Sequence, residues 1–156
     1  MERVFCYRRW RDLTAQGLTR GKLVAFHTAH KLLLMAHSPK HYTEMGQFVA
    51  AAKARTPREL EAEYGALFMT ALKVKATAKK HVNVMQHILG YLKRDLDAED
   101  KSELLALIGD YHKNLVPLVV PLTLLKHHLA RIPVPYIQDQ IYLYPHPKEL
   151  MLRNHV

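Results

Sequence analysis

Three histidines, His27, His30 and His37, recur at intervals of three and seven residues. In a helix that spacing brings the three imidazoles to roughly one side, with Leu34 between them. Three chemistries fit such a row: core histidines bonded to backbone groups, contacts to phosphate or bases, or a metal ion held by two or three rings. A zinc or iron centre also wants carboxylate or water, and residues 20–37 contain no Asp or Glu.

A second row repeats at three and four residues: Lys80, Asn83, His87, Tyr91 and Arg94. His81 heads a separate apolar row through Val84, Met85, Ile88 and Leu92. Cations attract phosphate, while Asn, His and Tyr hydrogen-bond to or stack on exposed bases, the combination that unpaired RNA invites. A solvated amphipathic face has the same pattern, so the row alone does not choose between them. Lys126-His127-His128 and Arg131 put four basic groups within two turns. Adjacent helical residues point about 100° apart, so one of the two histidines is expected to be structural. Arg20 and Lys22 add cations at the start of another helix. The nucleic-acid-binding set is thus Arg20, Lys22, Lys80, Asn83, His87, Tyr91, Lys126, His127 and Arg131. The rival metal or proton-transfer set is His27, His30, His81 and His87. Paired carboxylates, a nucleophile elbow, a phosphate-binding glycine loop and a dinucleotide fingerprint are all missing, so no catalytic residue is assigned. A Cys6–His dyad would rest on one cysteine near a chain end.

The elements that carry these residues read as helices. Thr19 caps a helix running to about His37; Ser38-Pro39 ends it and starts the next. Thr56-Pro57 with Glu59 opens another, through Leu60, Tyr64, Phe68 and Leu72. A helix follows from about Thr77 to Lys93, and Asp97 caps one containing Leu104, Ile108 and Tyr111, with Glu99 and Asp100 in the first turn where the helix dipole favours them. Pro117 and Pro121 flank the start of a helix through Leu122, Leu125 and Leu129 that ends at Pro133 and Pro135. The stretch 136–144 fits either a helix or an extended strap. With a helix around Trp10 and Leu13, the expectation is all-α: a single compact bundle of six to eight helices over residues 1–156, one domain, its short loops favouring antiparallel neighbours.

Composition narrows the function class. The 156 residues carry 23 Lys and Arg against 14 Asp and Glu, a formal charge of +9, with eleven histidines in reserve. An acidic partner is expected, nucleic acid first among such partners, because neutralising phosphates releases counterions. Cys6 is the single cysteine, which excludes an internal disulfide and a four-cysteine metal site within one copy. Arg3, Arg8 and Arg9 are not followed by the apolar core of a signal peptide. The stretch 115–125 is interrupted by two prolines and is too short to cross a bilayer. A cytoplasmic protein without a membrane segment or a cofactor of its own is expected.

The runs Gly17-Leu18-Thr19-Arg20-Gly21, Phe26-His27-Thr28-Ala29-His30-Lys31, Ala36-His37-Ser38-Pro39, His81-Val82-Asn83-Val84, Gln86-His87 and Gly90-Tyr91 resemble the YbgA family of bacterial proteins. So do 117–122, Leu125-Lys126-His127-His128, Gln140-Ile141-Tyr142-Leu143, Glu149-Leu150 and Leu152-Arg153-Asn154. The similarity covers almost the whole chain. Members of that family occur alone or fused to a cysteine-rich iron–sulfur domain that removes sulfur from thiolated uracil, including thiouridine in tRNA. The resemblance implies a non-catalytic tRNA-holding accessory to desulfidation or a related stress response, or a scaffold docking on a separate iron–sulfur desulfidase. Desulfidation itself is not carried over, because the cysteine-rich half is not in this chain.

Overall fold

The computed structural model describes residues 2–153; Met1 and 154–156, with Asn154 of the family-like run Leu152-Arg153-Asn154, lie outside the described residues. Among those described there is helix and turn but no strand. Seven helices of twelve residues or more account for the all-α fold, within the expected six to eight. They group into two compact units, Met1–Lys75 and Ala76–Val156.

The first unit holds α1 (Glu2–Ala15), α2 (Arg20–His37), α3 (Pro39–Ala50) and α4 (Pro57–Ala71). Its boundaries are set by short-range chemistry. Gly17, at φ 77°, adopts the left-handed conformation that closes α1, donating to the Thr14 carbonyl at 3.0 Å. The Thr19 hydroxyl accepts from the Lys22 amide and starts α2. Ser38 serves both neighbours: its amide donates to the Leu34 carbonyl, and its hydroxyl accepts from the His41 amide at the head of α3. Thr56 and Glu59 bond reciprocally in a capping box, and those bonds hold the Glu59 carboxyl below the usual range.

An aromatic core joins α1, α2 and α4. Trp10 meets Phe26 edge-on at 5.2 Å, and Tyr64 stacks on Phe68 at 5.9 Å. Each such ring contributes about 1.5–3 kcal/mol when fully buried. Gly65 is needed for this packing, because a Cβ there would lie 2.7 Å from Trp10 Nε1.

The second unit holds α5 (Ala78–Leu92), α6 (Ala98–His112), α7 (Val119–Arg131), α8 (Pro135–Gln138) and α9 (Pro147–Arg153). Thr77 and Asp97 cap α5 and α6 through the amides of Lys80 and Asp100. Asn114, at φ 59°, ends α6 in the left-handed conformation that Asn tolerates. Pro121 falls inside the first turn of α7, where its missing N–H has no intrahelical partner in any case. Helices α5, α6 and α7 pack on one another around Val84, Met85, Ile88, Leu104, Ile108, Leu125 and Leu129, all buried. The stretch 136–144 is neither a long helix nor a strap: after α8 it turns back, burying Ile137, Tyr142 and Leu143. No helix among the described residues is long and apolar enough to cross a membrane.

Candidate nucleic-acid interface

Helix α5 separates its residues by face as its spacing requires. His81, Val84, Met85, Ile88, Leu89 and Leu92 are buried, while Asn83, His87 and Tyr91 are exposed and Lys80 is half-buried. Along the exposed face the His87 ring meets Tyr91 edge-on at 5.5 Å. Tyr91 in turn stacks on Tyr136, centroids 5.5 Å apart and planes 30° apart. Tyr91 remains 41% exposed with these two rings beside it. Pro135 at the start of α8 fixes the backbone that presents Tyr136.

Helix α7 divides its basic cluster in the way the 100° step demands. His128 is buried, with Nδ1 facing Asp100 at 3.8 Å, whereas His127 is exposed and lines an open groove of about 590 Å³ with Glu103, Leu107 and Thr123. Lys126 places its ammonium 5.2 Å from the Tyr144 ring centre, and Tyr144 is 47% exposed. That is cation–π geometry. Arg131 is exposed at the end of α7.

Arg20 and Lys22 belong to the first unit. Arg20 is exposed and donates to the Lys53 carbonyl. The Lys22 ammonium donates to the carbonyls of Gln16 and Gly17 at 3.0 and 2.9 Å, which ties down the α1–α2 turn. Part of its donor capacity is therefore already used within the fold.

The histidine row of α2 is a core feature. His30 Nδ1 donates to the Phe26 carbonyl at 2.7 Å, and its ring stacks on Phe26. His37 Nδ1 donates to the Val74 carbonyl, while its Nε2 faces the Glu2 carboxylate at 2.9 Å. His27 Nδ1 shares a hydrogen bond with the Tyr64 hydroxyl at 3.1 Å. Burial lowers both His27 and His30 to about 4, with Lys31 adding to the effect on His27 and Arg9 on His30. Of the metal candidates in the second unit, His81 is buried against the Tyr142 hydroxyl at 2.9 Å and His87 is exposed. Among the described residues no three His, Cys, Asp or Glu side chains are gathered in a way that could hold a metal ion.

Two contributors were not in the set read from the sequence, Tyr136 and Tyr144. Their sequence signal is only an aromatic-rich tail, because the rings and ammonium they meet are supplied by α5 and α7.

Comparison with known proteins agrees with the family resemblance. A family model described as a protein of unknown function, DUF1722, matches residues 31–147. The Uncharacterized protein YbgA of Escherichia coli (strain K12) is 31% identical over 153 residues, covering 97% of this chain and 90% of that protein. No solved structure matches significantly.

Proposed function

The chain belongs to the DUF1722 family and has the YbgA protein as a relative, and from that premise we propose that it binds nucleic acid, tRNA or another structured RNA, without catalysing a reaction of its own. The observation that carries this reading is the half-exposed Tyr91 ring, stacked on Tyr136 and edged by His87 along a face that also bears Lys80 and Asn83. Half-exposed aromatic rings beside hydrogen-bonding and cationic groups are the kind of surface on which an unstacked base is received, and such stacking contributes about 1–3 kcal/mol per base. Lys126 over Tyr144 repeats the combination in the same unit. The choice of tRNA, and of a role beside a thiouridine desulfidase, rests on the YbgA resemblance.

The test is binding of the full chain to a tRNA transcript across a salt series. Log K is expected to fall linearly with log salt, by about 0.7 to 0.9 per phosphate neutralised. Replacing Tyr91 by Ala is expected to weaken binding by about 1–3 kcal/mol, with little change in that slope, because stacking is not a counterion effect. Absence of tRNA retention at low ionic strength sinks the reading.

A further inference from the structure

The positive charge is unevenly distributed. Met1–Lys75 carries thirteen Lys and Arg against six Asp and Glu, whereas Ala76–Val156 carries ten against eight. Four of the thirteen cations lie on α1. Arg3, Val4, Tyr7, Arg8 and Arg11 are all exposed there, and their spacing of three, four and one places them on one side of the helix. The opposite side, Cys6 and Trp10, is buried. The Arg11 guanidinium lies 6.0 Å from the Tyr7 ring centre.

On α1 itself the arginines outnumber the carboxylates, and α4 adds Glu61 beside Arg11. Glu2 is directed to His37, and Asp12 is 3.9 Å from Arg8 in a pair so exposed that its attraction is small. Behind the arginines α1 and α4 form two open clefts of about 470 and 480 Å³ that share Tyr7 and Met69. The first reaches Arg11, Glu61 and Ala66, and the second reaches Arg3 and Val4. Clefts of this size accept groups on the scale of a small ligand.

We propose that this face of α1 is a second RNA-contact surface, with strand phosphates on Arg3, Arg8 and Arg11 and an unstacked base against Tyr7 at the mouth of the clefts. It rests on the nucleic-acid reading above and adds to it a surface on another unit. Planar guanidinium groups suit phosphate because their paired donors match its oxygens, and a tyrosine among them provides the stacking face that single strands use.

The experiment compares three full-length proteins for binding to a tRNA transcript over a salt series. They are the wild type, the triple variant Arg3→Gln/Arg8→Gln/Arg11→Gln, and a charge-matched control, Lys40→Gln/Arg58→Gln/Lys73→Gln, whose exposed cations lie elsewhere in the same unit, on α3, on α4 and in the turn after α4. Circular dichroism and melting verify that each is folded. The α1 variant is expected to bind at least tenfold more weakly at low salt and to lose about 2 from the slope of log K on log salt, three contacts at roughly 0.7 each. The control is expected to lose less than half of that. Tyr7→Ala is expected to lower affinity without changing the slope. Wild-type binding with an unchanged α1 variant overturns this proposal alone and leaves the face to an acidic protein partner. Equal losses in variant and control also overturn it, as generic charge. No binding by the wild type removes this proposal together with the reading on which it rests.

Discussion

The buried imidazoles of α2 have assigned roles because their partners have few choices. A backbone carbonyl only accepts, so His30 must carry its proton on Nδ1, which leaves Nε2 bare. Neither His30 Nε2 nor His27 Nε2 has a hydrogen-bond partner in the structure. A second proton on His30 would create a buried cation whose new N–H has no acceptor; burial holds both rings at about 4, with Lys31 adding to the effect on His27. The sign for stability follows. The folded values lie below the ordinary 6.5, so the unfolded chain binds more protons, and stability present above pH 6.5 is lost as pH falls toward 4. By pH 5 each ring costs about 2 kcal/mol of folding free energy. Urea unfolding at a series of pH values measures this loss. His30→Phe, which retains a ring against Phe26, is expected to remove about half of the decline between pH 6.5 and 5; a decline of undiminished steepness in that variant contradicts the assignment.

At the scale of elements, the readable features were those whose physics is local. Thr19, Ser38, Thr56, Thr77 and Asp97 each cap a helix through an amide three residues on, so type and spacing sufficed to place five helix starts. The 100° step likewise separated His127 from His128. What escaped the sequence depends on distant partners. Tyr136 gains its role from Tyr91, forty-five residues earlier. The turns of 136–144 follow from burying Tyr142 against His81. Which arginines of α1 face outward is decided by where Trp10 docks, and that is decided by Gly65 on α4. Gly65→Ala therefore tests the α1–α4 contact directly. Its Cβ would meet the rigid indole at 2.7 Å, so α1 must move, and overpacking of this kind costs about 1–3 kcal/mol. Thermal melting should show the loss, against the small gain that Ala in place of Gly gives at an unobstructed helical site such as Gly90, where nothing lies within 4 Å of the added Cβ. Equal melting temperatures for the two variants would show that the indole yields without cost.

Over the whole molecule, surplus charge is concentrated in one unit while half-exposed aromatic rings occur in both, so the two contributions to binding are separated by choice of ligand. Surplus cations belong mainly to the first unit, which also holds the half-exposed Tyr7, while Tyr91 and Tyr144 stand half-exposed in the second. Electrostatic attraction depends on phosphate density and counterion release and is indifferent to bases. Stacking needs a base and is nearly indifferent to salt. Inorganic polyphosphate provides the charge without the base, so it isolates the first contribution, while an unstructured oligonucleotide requires both. The Arg3→Gln/Arg8→Gln/Arg11→Gln protein is expected to lose affinity for both polymers. Tyr91→Ala is expected to lose roughly five- to 150-fold on the oligonucleotide, the equivalent of about 1–3 kcal/mol, and nothing on polyphosphate. Competition titrations on the full chain at fixed ionic strength read both ratios. If Tyr91→Ala weakens polyphosphate as much as RNA, the ring supports the fold of its unit rather than receiving a base, because only a loss of structure lowers affinity for a ligand that has nothing to stack.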